Sequence, residues 1–265
     1  MEITSGSAVL AAEEHGTGSP DVLLVHAGVT DQRSWRHVVD ALDGHRCLTY
    51  DARRYGRTTY EPHDGWSPVD DAVAVLDAYD VGRAVVVGAS MGGRTSIDLT
   101  LLHPDRVRAL VLVGPAVSGA PDREVEQGVK PLEAALEKAG DAQDLAELNR
   151  LEAHIWLDGP LTPEGRVGGA TRDLFLEMNG RSLAAPDPGD DDSGVQAWDR
   201  LSEIGVPTLL LVGEHDLAEI RENCEHAARE IAGARLVELP GVAHLPHLEN
   251  DARTLAEIAA FVDAL

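Results

Sequence analysis

Residues 84–93 have the sequence AVVVGASMGG, in which a short apolar run ends at a G-x-S-x-G pentapeptide. A continuous apolar run of this length, bounded by turn-forming residues, is typical of a strand that is buried on both faces. The residues that follow, 95–102, have a helical pattern. A serine on a sharp strand-to-helix turn has a strained backbone, so its neighbours two residues away must be glycine. The stretch therefore predicts a strand, a tight turn that exposes Ser90, and a helix.

The sequence on either side of this stretch alternates between strand and helix patterns. Predicted strands occupy residues 22–25, 46–50, 84–87, 109–113, 208–212 and 236–239, and predicted helices occupy residues 35–42, 69–79, 95–102, 224–231 and 254–265. An antiparallel hairpin, formed around Ile3 and by residues 8–12, is expected to precede them. This alternation predicts an α/β fold with a mostly parallel central sheet and helices on both faces.

The alternation is interrupted between residues 117 and 197. This segment has helical patterns near residues 132–139, 145–156 and 171–178 and a polar loop at 186–194, but it has no strand pattern. An unstructured connection of about 80 residues is improbable, since loops beyond about 12–15 residues are uncommon. We therefore expect residues 1–116 and 198–265 to form one core and residues 117–197 to form a helical cap or lid. A second, unrelated domain is the alternative.

The charge and composition of the chain limit its partners. Among 265 residues there are 22 basic and 46 acidic side chains, which give a formal net charge of −24. Such a charge repels nucleic acid and anionic membrane faces, so we expect neither as a partner. No stretch approaches the roughly 18 apolar residues of a membrane-spanning helix. The first residues lack the pattern of a secretory signal, so we expect a cytoplasmic monomer or homodimer that acts on a small-molecule substrate.

The two cysteines, Cys47 and Cys224, are far apart in the sequence and belong to no CxxC motif or Cys/His cluster. This placement is typical of small buried apolar residues rather than of a disulfide framework or a zinc site. The sequence therefore predicts no metal ion. The chemistry expected of Ser90 implies no organic cofactor either.

Two residues further along the chain could activate the Ser90 hydroxyl. A serine is a poor nucleophile unless a base takes its proton and a third group orients that base. Asp216 follows the predicted strand at 208–212, and His244 follows the strand at 236–239. The chain order Ser, Asp, His is the order of enzymes with a nucleophile elbow. We predict Ser90 as the nucleophile, His244 as the base and Asp216 as the acid that orients it.

Neighbouring residues offer alternatives for two of these roles. His247 is the nearest rival to His244, but it follows a proline and is expected at the start of the last helix, pointing away. Glu214 could replace Asp216, but it is expected within the last turn of the strand. We therefore favour His244 and Asp216.

Six residues are candidates for the substrate pocket, one of which is Val29. Arg94 follows Ser90 by four residues, and Arg53 and Arg54 follow a strand end, so each could hold a substrate carboxylate. A salt bridge to one of the 46 acidic side chains is the more ordinary role of such arginines. Trp35 and Trp156 could line the cavity, and packing in the core or the cap is the ordinary alternative.

Taken together, four motifs resemble the serine hydrolases of the α/β-hydrolase fold. They are His26-Ala27-Gly28, the stretch DARRYGRT at residues 51–58, the turn at residues 88–92, and the Asp216/His244 pair. The resemblance covers nearly the whole chain outside the insert, which stands where this family carries its cap. It implies that the backbone N–H groups of Gly28 and Met91 form the oxyanion hole, with Val29 as the alternative to Gly28.

Two positions depart from the family pattern. The family usually has glycine where Arg54 stands, in D-x-R-G-x-G, so either this loop has another shape or Arg54 reaches into the site. His26-Ala27-Gly28 replaces the commoner His-Gly-x, which leaves the choice of the second oxyanion donor open.

The resemblance implies hydrolysis of a small carboxylic ester or lactone through an acyl-enzyme, similar to enol-lactonases and small-molecule esterases. Ser90 excludes the haloalkane dehalogenases and epoxide hydrolases, which need an acidic residue at the elbow. Hydrolases of carbon–carbon bonds often have tryptophan after the catalytic histidine, where this chain has Leu245. Such C–C hydrolysis and a cofactor-free perhydrolysis of the haloperoxidase type remain alternatives, as do a lyase, a cyclase or a binding protein on the same scaffold.

Overall fold

The structure, a computed structural model, describes residues 1–192 and 194–265; Ser193 of the predicted polar loop lies outside the described residues. The strands are β1 (Glu2–Ser5), β2 (Ala8–His15), β3 (Asp21–Val25), β4 (Arg46–Tyr50), β5 (Thr59–Tyr60), β6 (Ala84–Ala89), β7 (Val107–Val113), β8 (Thr208–Gly213) and β9 (Arg235–Leu239). The α-helices are α1 (Arg36–Ala41), α2 (Pro68–Ala78), α3 (Met91–Leu102), α4 (Lys130–Asp141), α5 (Leu145–Glu152), α6 (Gly169–Ala184), α7 (Ala218–Glu230) and α8 (Ala252–Asp263).

The strands form one sheet in the order β1-β2-β4-β3-β6-β7-β8-β9, with β5 paired to β2. The pairs β1/β2 and β2/β4 are antiparallel, and every pair from β4 to β9 is parallel. The predicted N-terminal hairpin and the mostly parallel α/β sheet are therefore confirmed. β5, a strand of two residues, has no apolar pattern that would mark it in the sequence.

Two apolar clusters cover the two faces of this sheet. Alternate side chains of β3 divide between them, because successive residues of a strand point to opposite faces. Leu23 packs in the cluster that includes residues of α2, α3 and α7, whereas Leu24 packs in the cluster that includes residues of α1 and α8. Nearly all strand residues in the middle of the sheet are buried, which explains the continuous apolar runs in the sequence.

The segment between β7 and β8 contains α4, α5 and α6, as the three helical patterns predicted. The predicted helix at 145–156 is divided: α5 ends at Glu152, and the chain continues as a π-helix at Ala153–Asp158. Phe175 and Met178 of α6 belong to the apolar cluster on the α1/α8 face, so this segment packs against the core. In the part of the chain that is described, none of the helices is long and apolar enough to cross a membrane.

Candidate active site

The turn at Ser90 has the conformation that the G-x-S-x-G pattern predicts. Ser90 has φ 51° and ψ −115°, between β6 and the first residue of α3. A Cβ atom on Gly88 would lie 2.3 Å from the carbonyl oxygen of Gly92, and a Cβ on Gly92 would lie 2.1 Å from that of Val25. Neither position can accept a side chain without backbone movement. The two glycines therefore allow the close approach that presents the Ser90 side chain at the carboxyl end of the sheet.

His244 and Asp216 are in direct contact. Nδ1 of His244 lies 2.9 Å from Oδ2 and 3.0 Å from Oδ1 of Asp216, so its N–H donates to the carboxylate. Both side chains are only 1% exposed. Nε2 of His244 is also buried, and it has no hydrogen-bond partner in the described ranges. This arrangement fixes the tautomer with the proton on Nδ1 and leaves Nε2 able to accept a proton.

The end of β7 brings Ser90 close to this pair. The N–H of Ser90 donates to the carbonyl of Val113 at 3.0 Å. The next residue, Gly114, is so close to the pair that a Cβ there would lie 3.0 Å from Oδ2 of Asp216 and 3.1 Å from Nδ1 of His244. Gly114 was missed in the sequence analysis, although a glycine directly after a buried strand was a signal for it. The ends of β6, β7, β8 and β9 thus place the three predicted residues at one edge of the sheet. Among the described residues His244 is bonded to Asp216, and no hydrogen bond joins Ser90 to Nε2 of His244.

Glu214, the alternative to Asp216, makes a different contact. It lies directly after β8, and its Oε2 accepts a hydrogen bond from the N–H of Gly241 at 2.8 Å. The side chain is exposed, whereas Asp216 is buried against the histidine. Of these two acids, Asp216 is the one that contacts His244.

His247, the alternative to His244, is buried in the protein interior. It lies in a turn ahead of α8, so the prediction that it begins a helix was wrong. Its ring stacks on Trp35 at a centroid distance of 4.2 Å, and both rings are fully buried. Burial lowers the pKa of His247 to about 3. Trp35 lies in the same apolar cluster as α1 and α8, which favours a packing role for this residue.

Gly28 and Met91, the predicted oxyanion donors, lie next to each other. A Cβ on Gly28 would be 3.5 Å from Cβ of Met91. Within residues 1–192 and 194–265, neither backbone N–H donates a hydrogen bond, so both are available to a ligand. Met91 begins α3, where the partial positive charge of the helix N-terminus favours an anion. Val29, the alternative donor, follows Gly28 and packs against the apolar cluster.

His26 holds the loop that carries Gly28. Its Nδ1–H donates to the carbonyl of Ala27 at 2.8 Å, and its Nε2 accepts from the N–H of Ala52 at 3.0 Å. The ring is completely buried, and this desolvation lowers its pKa. A neutral His26 therefore connects the loop after β3 to the loop after β4. In the sequence, His26 stood out only as part of the His26-Ala27-Gly28 motif.

The loop after β4 is fixed by Asp51 and contains a left-handed residue at Arg54. Asp51 accepts hydrogen bonds from the backbone N–H groups of residues 32 and 57, and a Cβ on Gly56 would lie 2.1 Å from its carboxylate. Arg53 makes a buried two-point ion pair with Asp71 at 2.8 and 3.0 Å. Arg54 has φ +80°, the left-handed conformation that glycine would adopt more easily. The loop thus has the glycine-type turn with an arginine in it.

Trp156 contacts the candidate base. It extends from the π-helix, and its ring centroid lies 4.8 Å from that of His244. Arg94 has the ordinary role expected of it, because it forms ion pairs with Asp98 at 3.6 Å and Asp191 at 2.6 Å. Trp156 is thus a residue of the insert that contacts His244.

Both cysteines are free and buried, as predicted. Among the described residues, no group of three or more His, Cys, Asp or Glu side chains has an arrangement suited to a metal ion. The polar groups that meet at the sheet edge are thus a hydroxyl, an imidazole, a carboxylate and two free backbone N–H groups. Such a set can carry out nucleophilic attack on a carbonyl carbon and stabilise the resulting oxyanion.

Comparison with known proteins gives a family match and several relatives. The model of the α/β hydrolase fold family matches residues 20–251. A rhodomycin D methylesterase from Streptomyces sp. strain C5 is 29% identical, over 91% of this chain and 91% of the relative. A 2-hydroxymuconate semialdehyde hydrolase from Pseudomonas sp. strain CF600 is 28% identical, over 94% of this chain and 88% of the relative. The solved structure of an enol-lactonase from Burkholderia xenovorans LB400 superimposes with a TM-score of 0.70 and 25% identity, covering 97% of this chain and 98% of that one.

Proposed function

The chain belongs to the family of the α/β hydrolase fold, and from this premise we propose that it is a serine hydrolase of small carboxylic esters or lactones. The observation that carries the proposal is the contact between His244 and Asp216, with Nε2 of His244 buried and without a partner among the described residues. A histidine oriented in this way can take the proton of a serine hydroxyl. The similar methylesterase and enol-lactonase support the ester or lactone class of substrate.

The proposed reaction proceeds through an acyl-enzyme. Ser90 attacks the carbonyl carbon of the ester while His244 takes its proton, and Asp216 stabilises the imidazolium that forms. The N–H groups of Gly28 and Met91 receive the negative charge that develops on the carbonyl oxygen. His244 then protonates the leaving alcohol and afterwards activates the water that releases the acid. No step requires a metal ion or an organic cofactor.

Residues 117–197 act in this proposal as the cap over the site. The π-helix at Ala153–Asp158 places Trp156 against His244, and α6 packs on the core. A cap that shields the imidazole from water strengthens the electrostatic interactions in the site. The shape of the cap would then select substrates by size.

Hydrolysis of a carbon–carbon bond is the second candidate function, because one relative carries the name 2-hydroxymuconate semialdehyde hydrolase. Ser90, His244 and Asp216 could serve that reaction as well. Steady-state rates with 2-hydroxymuconate semialdehyde and with small esters separate the two candidates. A kcat/KM for the semialdehyde above that for every ester and lactone tested would favour the second one.

Substitution of the serine tests the proposal directly. We expect Ser90→Ala to lower kcat for p-nitrophenyl acetate and for a simple lactone by roughly 10,000-fold or more. Ser202→Ala is the matched control, since Ser202 is exposed and precedes the amino end of β8, whereas the site lies at the carboxyl ends of the strands. A fluorophosphonate probe should add one label to the wild-type protein, at Ser90, and none to the Ser90→Ala variant. Full turnover by Ser90→Ala, or a label on another residue, would contradict the proposal.

A further inference from the structure

Arg54 keeps a long cationic side chain at a position that disfavours any side chain. Its φ of +80° lies in the left-handed region, where residues with a Cβ atom are strained. Glycine would remove this strain at no steric cost. Strained residues of this kind cluster at ligand sites, because there the side chain has a use that offsets the strain.

The guanidinium of Arg54 is only partly satisfied by the protein. Its Nε–H donates to the carbonyl of Ser182, in the last turn of α6, at 3.1 Å. For the residues that are described, its two terminal nitrogens have no hydrogen-bond partner and no carboxylate oxygen within 4.0 Å. Most of the other arginines form ion pairs, as expected in a chain with a net charge of −24. A half-buried cation without a counterion is costly, which favours an anionic ligand at this point.

Arg54 lines a cavity that adjoins the candidate oxyanion donors. The cavity has a volume of about 190 Å³, and Tyr55 and Met91 also line it. The Tyr55 hydroxyl and the Met91 Sδ lie 3.4 and 3.5 Å from the point that a Cβ on Gly28 would occupy. The wall of the cavity is therefore shared with the place where the carbonyl oxygen of a substrate would bind. A group on that substrate can extend from the site toward Arg54.

The other arginines of the cavity are already paired with acids. Arg53 binds Asp71 through two hydrogen bonds, at 2.8 and 3.0 Å. Arg94 donates to Asp191 at 2.6 Å. These two pairs cancel within the cavity wall. Asp187 also lines the cavity, but in the described part of the chain it forms no ion pair with Arg54, so Arg54 has no carboxylate in contact.

Two further carboxyl groups face this region without pairing with Arg54. Asp187 is exposed, and its carboxylate accepts the N–H of Gly189 at 2.9 Å. Glu152, at the end of α5, accepts a hydrogen bond from the side-chain amide of Asn179, and burial raises its pKa. The carboxylate oxygens of Glu152 lie more than 4.0 Å from the guanidinium nitrogens of Arg54. Neither Asp187 nor Glu152 is therefore in direct contact with the guanidinium of Arg54.

We propose that Arg54 binds a carboxylate of the substrate, so that the preferred substrates are esters or lactones with a second, ionised carboxylate. This inference rests on the proposed function, because it places the second carboxylate on the molecule whose acyl group meets Ser90. A guanidinium can donate two parallel hydrogen bonds to a carboxylate, which is among the stronger charge-assisted contacts in proteins. The acidic surface repels an anionic substrate, but salt screens this repulsion beyond about 8 Å at physiological ionic strength. The attraction to a nearby arginine can therefore exceed it.

Matched pairs of substrates test this inference. In each pair, one ester carries a free carboxylate and the other carries the isosteric primary amide, on either the acyl part or the leaving group. Examples are monoethyl adipate against its amide, and 4-acetoxybutanoate against its amide. The readout is the ratio of kcat/KM for the anion to kcat/KM for the amide. We expect the wild-type protein to prefer the anion at least tenfold in one of the two placements.

Substitutions at Arg54 should remove that preference. We expect Arg54→Gln to lower the anion-to-amide ratio 10- to 100-fold, and Arg54→Lys to retain part of it. Arg54→Gly should lower the anion-to-amide ratio to the same degree as Arg54→Gln. Its unfolding temperature should stay at or above the wild-type value, because glycine relieves the backbone strain. Arg57→Gln is the control, since Arg57 lies in the same loop but pairs with Glu13 at the surface. It should keep the wild-type ratio.

Calorimetry with adipate and the Ser90→Ala protein provides a readout that does not depend on hydrolysis. We expect adipate to bind, adipamide not to bind, and the additional substitution Arg54→Gln to abolish adipate binding. An equal loss with both members of each pair would indicate a structural role and overturn the inference, even if ester hydrolysis is confirmed. Absence of hydrolysis and of fluorophosphonate labelling, together with Arg54-dependent binding of adipate, would overturn the proposed function and leave the anion site in place.

Discussion

Arg166 and Glu249 form a two-point ion pair that joins the insert to the loop of the candidate base. The two terminal nitrogens of Arg166 lie 2.7 and 2.9 Å from the two carboxylate oxygens of Glu249. The remaining N–H groups donate to backbone carbonyls of Leu157, Asp158 and Gly241. Glu249 also accepts the N–H of the residue that precedes His244, at 2.9 Å. One guanidinium thus fixes the π-helix that carries Trp156 relative to the loop that carries His244.

Removing this ion pair should destabilise the protein. The Glu249 side chain is only 7% exposed, so Arg166→Met would leave a carboxylate buried without its cation. We expect the free energy of unfolding in urea to fall by about 2–3 kcal/mol, less than for a fully buried pair because Arg166 is 21% exposed. The control is Arg235→Met, which removes the more exposed pair with Glu257 and should cost under about 1 kcal/mol. An equal loss of unfolding free energy in the two variants would show that the Arg166–Glu249 pair stabilises the protein no more than an exposed ion pair does.

The orientation of His244 by Asp216 should be visible in the rate of the reaction. Asp216→Asn cannot accept the Nδ1–H bond in the same way, so the imidazole is free to adopt the wrong tautomer. We expect kcat for p-nitrophenyl acetate to fall roughly 10,000-fold, with an unchanged circular dichroism spectrum. Glu214→Gln, two residues away and exposed, should stay within about threefold of the wild type. A larger loss with Glu214→Gln than with Asp216→Asn would transfer the acid role to Glu214.

His247 should make the stability of the protein depend on pH. Burial lowers its pKa to about 3 in the folded state, whereas the unfolded chain has the ordinary value near 6.5. Between these values the unfolded state binds a proton that the folded state does not, so stability is full above about pH 6.5 and falls as the pH decreases toward 3. From pH 7 to pH 5 this one group should remove about 2 kcal/mol.

Substitution isolates this contribution. We expect His247→Leu to reduce the loss of unfolding free energy between pH 7 and pH 5 by about 2 kcal/mol. His63→Gln is the control, because His63 is exposed, and it should leave the loss unchanged. Urea titrations at the two pH values give the measurement. An identical pH dependence in the wild type and in His247→Leu would mean that the folded protein protonates this ring freely.

The parts of the fold that follow from local sequence were predictable. The apolar runs of β3, β6 and β8 and the glycines around Ser90 are short-range signals, because burial on both faces and a strained turn each dictate nearby residue types. Strand ends in a parallel sheet lie at one edge, so the placement of Asp216 and His244 after two strands already suggested their meeting. Their direct contact is what the structure adds.

The remaining features depend on contacts between distant segments, which leave no periodic pattern. The Arg166–Glu249 pair joins residues 83 positions apart. No glycine or proline within residues 145–158 marks the change from α5 to the π-helix. Nothing in its residue type distinguishes the buried His247 from an exposed histidine. Arg54 was noticed because it replaces a glycine. The sequence does not show that Arg54 adopts the left-handed conformation in this turn.

Gly114 offers the sharpest test of how closely the candidate site is packed. Its φ is +49°, and a Cβ there would lie 3.0 Å from the Asp216 carboxylate and 3.1 Å from Nδ1 of His244. Gly114→Ala should therefore displace the pair, and we expect kcat for p-nitrophenyl acetate to fall at least about tenfold, since small displacements of catalytic groups are costly. The backbone strain should also lower the free energy of unfolding by about 1–2 kcal/mol.

The matched control separates these two effects. Gly233 has φ +76°, and a Cβ there would meet no atom within 4 Å. Gly233→Ala should therefore have a similar cost in stability, because the strain is similar, and keep the wild-type kcat. Urea unfolding and steady-state kinetics on both variants decide the matter. If Gly114→Ala lost stability but kept its kcat, Asp216 and His244 could tolerate displacement, and their observed contact would not be what sets the rate.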